Sequence, residues 1–258
     1  MSELLLAIET STRAVSLCAA RFERGATQLL TQVSRELPAA IPLTSRLIPE
    51  IQDALAVLGH KAADVRVAAF SRGPGSFTGL RAAAAVMRML QSTTGCEVVG
   101  VATFESIADA AFEWLESDAA PPNARSIERV VVLAPAKAGF VFAAAYSRAD
   151  LSRADRCDSD DAPRILAIDS WRGEFEAPFA VVADARIPQN PDHTSGSRML
   201  PAILAIPTAE RIARLALRRY ARGATMRPEE IVPLYGRKPE CEEVYGARRA
   251  EARSRRDE

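Results

Sequence analysis

Histidine and cysteine are scarce in this chain, and their spacing excludes the common metal and nucleophile motifs. The two histidines, His60 and His193, are too far apart in sequence to form a metal-binding pair on one helix. With only these two, no Ser/His/Asp or Cys/His catalytic set can be assembled. The cysteines contain no Cys-x-x-Cys pair, which excludes a zinc site of that type and favours a reducing compartment. They are Cys18, Cys96, Cys157 and Cys241. We predict no metal and no cofactor.

Net charge is also lacking. Lysine plus arginine and aspartate plus glutamate each number 33. No overall field therefore attracts nucleic acid or an anionic membrane, and any RNA contact must be local or indirect. The amino terminus lacks a basic leader, and no apolar stretch is long enough to span a bilayer. These absences predict a cytoplasmic protein that does not contact the membrane.

A large hydrophobic fraction is what the chain does have. With 258 residues that are 48% hydrophobic and 26% charged, it can form a sizeable core. In the first half, apolar runs and helical spacing predict three strands, then helix, strand, helix, strand, helix. The predicted strands are 4–8, 14–21, 27–33, 65–71 and 98–101. The first predicted helix is capped by Thr44 or Ser45 and ends near 58, and the other two are 78–93 and 103–115. This order is typical of an α/β layered domain.

The second half follows a break at 119–125 and has weaker signals. Strands at 129–134 and 139–146 are predicted to pair through a short turn, and a polar, acidic insertion at 148–162 is expected to form a surface loop. Further strands are predicted at 165–168 and 179–183. An amphipathic helix is predicted at 207–222, with a charged tail beyond 248.

The most informative stretch is a glycine-rich loop between the predicted strand 65–71 and the helix that follows. Glycine allows a positive φ or a close approach, proline stiffens a turn, and Thr78 can cap the helix. Neither the Walker pattern nor the dinucleotide spacing is present. The loop therefore predicts a rigid strand-to-helix corner. Its residues are Gly73, Pro74, Gly75, Ser76, Phe77, Thr78, Gly79 and Arg81.

Two side chains of this loop have alternative interpretations. Arg81 lies in the first helical turn, where the helix dipole disfavours a cation, so either a carboxylate or phosphate partner or a solvated side chain is consistent with the sequence. Phe77 could anchor a partner or fold back into the core of its own chain.

The loop closely resembles the signature of the TsaB (YeaZ-type) family of tRNA threonylcarbamoyladenosine biosynthesis. Four further segments are similar to that family, namely 8–12, 43–49, 99–103 and 233–237. The resemblance implies a two-lobed α/β fold of the actin-like ATPase, ribonuclease H-like type, degenerate at the nucleotide site. It also implies an amino-terminal lobe at 1–118, a smaller lobe at 119–206, and a helix in 207–258 that returns to the first lobe before a charged tail.

In the actin-like fold, the turn at Glu9, Thr10 and Ser11 corresponds to the first phosphate-binding loop. The resemblance implies a degenerate loop here, and the alternative is a strand end whose hydroxyls satisfy backbone amides. Leu43 stands where the family usually has histidine, and 135–137 reads Pro-Ala-Lys where Asp-Ala-Arg is common. No catalytic residue is therefore carried over from the family.

The resemblance implies a non-catalytic scaffold that binds the catalytic relative TsaD as a heterodimer, with the ATPase TsaE joining as a third subunit. A homodimer is also possible, and tRNA would be contacted indirectly. In the family the contact uses the two helices at 44–58 and 78–93, whereas the alternative is that both helices only cover their own sheet. The predicted interface residues are Leu47, Ile51, Leu55, Ala83, Ala84, Met87 and Leu90. Arginines of the 207–222 helix could contact tRNA phosphates or form a solvated face.

The rival function is an enzyme acting alone, either an ATP-dependent phosphotransferase or a metallopeptidase of the same fold. Both need acids or metal ligands at the two phosphate turns. Glu9 is the only candidate in the first turn, and the second turn, around Pro135, offers none. ATP turnover by the purified chain, abolished by a change at Glu9, would favour this function.

Overall fold

The computed structural model describes residues 2–37, 43–151, 163–188 and 197–235, which form two five-stranded sheets with flanking helices. The strands are β1 Ser2–Glu9, β2 Val15–Glu23, β3 Leu29–Leu37, β4 Val65–Ser71, β5 Glu97–Val101, β6 Arg129–Pro135, β7 Phe140–Ser147, β8 Arg164–Ala167, β9 Phe179–Ala183 and β10 Ser197–Met199. The helices are α1 Leu43–Val57, α2 Phe77–Thr94, α3 Thr103–Glu116, α4 Arg148–Leu151 and α5 Ala209–Tyr220.

The first sheet has the strand order β3-β2-β1-β4-β5. The first three strands are antiparallel, whereas β4 runs parallel to β1 and β5 runs parallel to β4. Side chains alternate between the two faces of β1, so that Leu4 and Leu6 pack with α1 and α2 while Leu5 packs with α5. Helices on both faces explain why the central strands are continuous apolar runs.

The second sheet has the order β10-β9-β6-β7-β8. The hairpin β6–β7 and the pair β7–β8 are antiparallel, and β9 runs parallel to both β6 and β10. One face packs against α3 through residues such as Phe104 and Val132. The other face is covered by a smaller cluster around Trp171 and Phe179.

Two helices cross between the sheets. Helix α3 directly follows β5 of the first sheet but packs on the second, and α5 follows β10 of the second sheet but packs on the first. A buried ion pair joins them, in which Arg219 donates from Nη2 to Glu105 Oε2 at 2.7 Å. Arg219 also donates to the backbone carbonyl of Gly100 in β5. This arginine therefore connects both crossing helices to the first sheet.

Every strand and long helix predicted from the sequence is present, with ends that differ by a few residues. The prediction of a cap at Thr44 or Ser45 was wrong, because α1 already begins at Leu43. The short strand β10 was not predicted, since its three residues Ser-Arg-Met lack the apolar alternation that marks a strand. No helix in the described ranges is long and apolar enough to cross a bilayer.

Part of the sequence analysis concerns residues outside the described ranges. The expected surface loop begins instead with helix α4, and its remainder, 152–162, is not described. His193, Cys157, Cys241 and the tail beyond 248 also lie outside these ranges. Cys18 and Cys96 are buried free thiols.

We expect Arg219→Ala to lower the free energy of unfolding by about 3–5 kcal/mol, because it removes the buried guanidinium that bonds to Glu105 in α3 and to the carbonyl oxygen of Gly100 in β5. Urea unfolding followed by circular dichroism measures this loss. Arg88→Ala, at an exposed position of α2, is the matched control and is expected to change stability by less than about 0.5 kcal/mol. Equal midpoints for the two variants would contradict a connecting role for Arg219.

Candidate functional site

The turn after β1 and the glycine-rich corner after β4 lie side by side, because these parallel strands end at the same edge of the sheet. Backbone and side-chain hydrogen bonds join them. The Ser76 amide donates to the carbonyl oxygen of Ser11 at 2.6 Å, and the hydroxyl of Thr10 donates to the carbonyl oxygen of Gly79 at 2.8 Å. The corner is therefore fixed directly on top of the turn.

Two glycines make this contact possible. A Cβ atom at Gly75 would lie less than 3.0 Å from the carbonyl oxygen of Ser11, and one at Gly79 would lie equally close to the carbonyl oxygen of Thr10. Gly73 has a φ of 119°, a conformation that other residues rarely adopt. The structure confirms the prediction that glycine provides a positive φ and close approach at this corner.

The cap of α2 differs from the prediction. Ser76, not Thr78, caps the helix, since its hydroxyl accepts a hydrogen bond from the Gly79 amide at 3.3 Å. Helix α2 begins at Phe77, which places Thr78 inside the first turn. The prediction failed because the loop contains two nearby hydroxyl residues that could cap the helix, and the sequence alone does not say that the helix begins at Phe77.

The segment that follows α5 supports the corner from its other side. The amide of Leu234 donates to the carbonyl oxygen of Arg72 at 2.7 Å, and Arg72 Nε donates back to the carbonyl oxygen of Val232 at 3.3 Å. The amide of Met226 bonds to Val98 in β5 at 2.7 Å. The segment from Met226 to Leu234 thus runs along the edge of the first sheet and reaches the corner.

Glu9 is completely buried beneath the turn. Its Oε1 accepts a hydrogen bond from the Ser11 amide at 2.5 Å, whereas its Oε2 has no partner within the described residues. Burial raises the pKa of this carboxyl group to about 7, and hydrogen bonds from Ser11 and Ser71 offset part of that rise. Glu9 does not line the cleft that separates the two sheets, so in this conformation it cannot act on a ligand there.

A cleft of about 920 Å³ lies between the two sheets, above the corner. Its floor is apolar and includes Phe104, Ile107, Leu133 and Phe142. Three arginines also line it, namely Arg13 and Arg81 from the first lobe and Arg186 from the second. The cleft therefore combines an apolar floor with cationic groups.

The sequence analysis missed an acidic residue in this cleft. Asp184 directly follows β9, and its amide donates to the carbonyl oxygen of Leu133 in β6 at 3.1 Å. Its carboxylate accepts from Arg186 Nε and Nη2 at 2.8 Å each, and these hydrogen bonds lower the pKa of Asp184. An acid immediately after a predicted strand was the available signal, but without the strand order it could not be placed beside the end of β6.

Phe77 and Arg81 form a cluster with Tyr235 at the cleft. The Arg81 guanidinium stacks 3.9 Å above the Phe77 ring centroid, and its Nε donates to the Tyr235 hydroxyl at 3.1 Å. The two aromatic rings are 4.9 Å apart, and both side chains are about 40% exposed. Phe77 therefore does not fold back into the core of its own chain, which was the second of the two interpretations of this residue.

The residues predicted to form a partner interface face inward. All seven are at most 5% exposed and belong to the core between α1, α2 and the first sheet. They are Leu47, Ile51, Leu55, Ala83, Ala84, Met87 and Leu90. Helical periodicity identified the apolar face of each helix, and in this chain that face covers its own sheet, so a contact with a partner through these residues stays a prediction.

The outer faces of the same helices remain open in this chain. On α1, Ala56 and Val57 are exposed, and on α2, Ala85 and Met89 are exposed. Val57 is 60% exposed and Met89 is 45% exposed. Small and apolar side chains are thus available on both helices for another molecule to cover.

The arginines on the exposed side of α5 are paired with acids. Arg211 contacts Asp109 and Glu113 at 2.6 and 2.7 Å, and Arg218 contacts Asp109 at 3.2 Å. Arg214 pairs with Glu210 at 2.6 Å. These pairs reduce the positive field that would attract tRNA phosphates, so the solvated, salt-bridged face is the better interpretation. Among the described residues, no group of three or more His, Cys, Asp or Glu side chains is placed to hold a metal ion.

Comparisons with known proteins give a consistent picture. The family described as TsaD, tRNA N6-adenosine threonylcarbamoyltransferase, matches residues 39–128. The protein named tRNA threonylcarbamoyladenosine biosynthesis protein TsaB from Escherichia coli K12 is 27% identical over 198 residues, which cover 74% of this chain and 79% of that protein. The protein of the same name from Haemophilus influenzae is 33% identical over 114 residues, which cover 44% of this chain and 45% of that protein.

Among solved structures, YeaZ from Pseudomonas aeruginosa superposes with a TM-score of 0.65 at 24% sequence identity. The superposition covers 90% of this chain and 99% of that structure. The two proteins therefore share a fold over nearly their whole length.

We expect Gly79→Ala to lower the free energy of unfolding by about 1–3 kcal/mol, because the added Cβ would push α2 away from the Thr10 carbonyl. Thermal or urea unfolding measures the change. The matched control is Gly173→Ala, where an added Cβ meets no atom within 4 Å and which is expected to shift stability by less than about 0.5 kcal/mol. Helix propensity alone predicts that Gly79→Ala stabilises the protein. That result would contradict the prediction, because it would show that the corner can move away from the turn at little cost in free energy.

The pH dependence of stability gives a second test. The pKa of Glu9 is higher in the folded chain than its ordinary value of 4.5, so its stabilising protonation is complete below pH 4.5 and is lost as the pH rises through 7. Glu9→Gln cannot ionise. Between pH 5 and pH 8.5, the wild type should therefore lose about 2–3 kcal/mol relative to this variant.

Urea midpoints at the two pH values measure this difference. Glu23→Gln, which changes an exposed acid at the end of β2, serves as the control and should follow the wild type at both pH values. A Glu9→Gln protein whose stability runs parallel to the wild type would show that the carboxyl group is hydrated in solution.

Proposed function

We infer that this chain, which belongs to the TsaB (YeaZ) family of the actin-like superfamily, acts in tRNA threonylcarbamoyladenosine biosynthesis as a non-catalytic subunit. Its proposed role is to bind TsaD and to stabilise the active conformation of TsaD. The transfer of the threonylcarbamoyl group to adenosine then takes place on TsaD, whose family description names that reaction. The ATPase TsaE joins the complex as a third subunit.

The observation that carries this proposal is the covered turn after β1. In an actin-like ATPase this turn must leave its backbone amides free for phosphate. Here the Ser11 amide is bonded to Glu9, and the corner at Gly75 and Gly79 packs against the carbonyl side of the same turn. A phosphate group that accepts from the Ser11 amide would have to displace the Glu9 carboxylate. The geometry of this turn therefore supports a protein that binds a partner through its surface and does not bind phosphate at this turn.

The same geometry weighs against an enzyme that acts alone. Glu9 was the one acid that could serve a phosphotransferase at the first turn, and it is buried away from the cleft. Asp184 reaches the cleft from the second lobe, but its carboxylate is bound by Arg186 through a bidentate pair. The carboxylate of Glu9 is therefore shielded from a ligand in the cleft, and the carboxylate of Asp184 is occupied by Arg186.

The open faces of α1 and α2 are the proposed contact with TsaD. Ala85 and Ala56 allow close helix approach, and Met89 and Val57 provide exposed apolar area. This assignment keeps the two helices that the family resemblance implies and replaces the buried residues with the outward ones. A homodimer would use the same faces and would compete with TsaD for them.

The effect on TsaD is thermodynamic. A bound subunit can raise the population of the active conformation only by the ratio of its affinities for the active and inactive states. The paired arginines of α5 leave this subunit with little positive field for tRNA on that face. The tRNA is accordingly contacted mainly by TsaD, and the proposed complex works in the cytoplasm.

We expect the double variant Ala85→Arg/Met89→Glu to weaken co-purification with TsaD by about tenfold or more, because two charges would be buried in an apolar contact. Both positions are exposed, so the free protein should keep its urea midpoint. Co-purification from a strain that expresses tagged TsaD measures the complex.

The matched control is Ile165→Glu on β8, which places a charge at a similarly exposed apolar residue of the second sheet. This variant should bind TsaD normally. If the α2 double variant and the control bind TsaD equally well, the contact with TsaD lies elsewhere.

A further inference from the structure

The rim of the cleft carries a cluster of exposed aromatic and cationic side chains. Phe77 and Tyr235 both line the cleft, are each about 40% exposed, and have ring centroids 4.9 Å apart. The Arg81 guanidinium lies 3.9 Å from the centroid of the Phe77 ring and donates from Nε to the Tyr235 hydroxyl. Neither ring belongs to a hydrophobic core of the described residues. The cluster therefore presents flat, solvent-accessible groups.

Arg13 adds a second cation beside these rings. The Ser76 amide bonds to the Ser11 carbonyl oxygen at 2.6 Å. Phe77 directly follows Ser76, and Arg13 lies two residues beyond Ser11. Arg13 is exposed, lines the same cleft and has no hydrogen bond or ion pair with any described residue. The contact between the turn and the corner thus places a cation without an acidic partner next to the aromatic cluster.

The charges that line the cleft do not cancel. They are Arg13, Arg81, Arg186 and Asp184. Arg186 and Asp184 neutralise each other through two hydrogen bonds of 2.8 Å. Arg13 and Arg81 have no acid to pair with among the described residues. Although the whole chain has no net formal charge, this rim is positive and suits an anionic ligand.

The other apolar residues of the cleft decide between an acidic peptide and RNA. Phe104, Ile107 and Leu133 line the cleft but are at most 4% exposed. The cleft therefore holds no open apolar pocket for the side chains of a peptide. A nucleotide base needs only a flat surface, because it stacks on an aromatic ring or a guanidinium plane while its phosphate pairs with arginine. The rim thus fits an unpaired nucleotide better than a peptide.

We propose that an unpaired base of single-stranded RNA stacks on the rings of Phe77 and Tyr235, and that Arg13 and Arg81 contact its phosphates. The inference rests on the proposed function, since tRNA is the RNA of that pathway. RNA loops expose unstacked bases, whereas a duplex keeps its bases inside the helix. This chain thereby adds a small contact of its own to the tRNA contact made by TsaD.

The base contact is tested with the full-length chain and a fluorescent RNA hairpin that has an unpaired, adenosine-containing loop. Fluorescence anisotropy at about 50 mM salt should show binding at least about fivefold tighter than to a duplex with the same number of phosphates. Phe77→Leu/Tyr235→Leu should weaken hairpin binding about tenfold. The matched control is Phe140→Leu, at an aromatic residue that is 40% exposed and does not line the cleft, and it should bind normally.

The phosphate contacts are tested by the salt dependence of the same binding. Arg13→Gln/Arg81→Gln should reduce the slope of log K against log salt by about 1.4, because each phosphate contact on a single strand contributes about 0.7. The ring variant should keep the wild-type slope, since stacking releases no counterions. Arg88→Gln, an exposed arginine of α2 outside the cleft, should change neither the slope nor the affinity.

Three outcomes would overturn the proposal. The first is equal binding of hairpin and duplex, or no binding of the hairpin by the wild type. The second is a ring variant that binds as tightly as the Phe140→Leu control. The third is displacement of the hairpin by poly-glutamate at an equal concentration of charge, which would make an acidic protein segment the better occupant. Urea midpoints of all variants exclude misfolding as the cause of weak binding.

Co-purification with TsaD separates this inference from the proposed function. A ring variant that loses the hairpin but retains TsaD would support the RNA contact as a separate surface. A wild type that retains TsaD but does not bind the hairpin would refute the RNA contact alone. If TsaD does not co-purify with the wild type, the proposed function fails, whereas hairpin binding that depends on the rings and arginines would still support the RNA contact.

Discussion

The carbonyl oxygens of Thr10 and Ser11 lie against a backbone that carries no side chain, and the rest of the structure depends on this contact. Gly75 and Gly79 allow the corner after β4 to touch the turn after β1. The contact fixes the start of α2, which Ser76 caps. It also fixes the position from which Phe77 and Arg81 reach the cleft. One steric constraint thus sets both the start of a helix that covers the first sheet and part of the lining of the cleft.

The exchange of helices between the sheets explains why the cleft has a defined shape. Helix α3 leaves the first sheet to cover the second, and α5 returns to cover the first, with Arg219 and Glu105 paired where they meet. A buried pair of this kind is strongly destabilising when one member is lost, so it disfavours arrangements in which the helices separate. Thr103 and Phe104, at the start of α3, consequently form part of the cleft wall.

The sequence predicted the elements well because each has a local signal. Strand β4 and strand β9 were located to the residue, since both are apolar runs bounded by turn residues. The sequence could not predict which surface of the molecule covers the apolar face of each helix. The pattern of α1 marks Leu47 and Ile51 as apolar but does not say that their own sheet buries them. Asp184 was missed for a related reason, because only the strand order brings the end of β9 beside β6.

The resemblance to a family supplied the fold and the pathway, whereas the physical state of the site came from the coordinates. A turn that reads Glu-Thr-Ser could hold phosphate or could satisfy itself, and sequence alone leaves both open. In the structure, the Ser11 amide donates to Glu9 and the Thr10 hydroxyl donates to the carbonyl oxygen of Gly79, so these two donors are satisfied within the chain. Neither interaction needs a ligand. A turn that is held by hydrogen bonds within its own chain keeps its shape without a bound ligand, because the contacts that position it are already made.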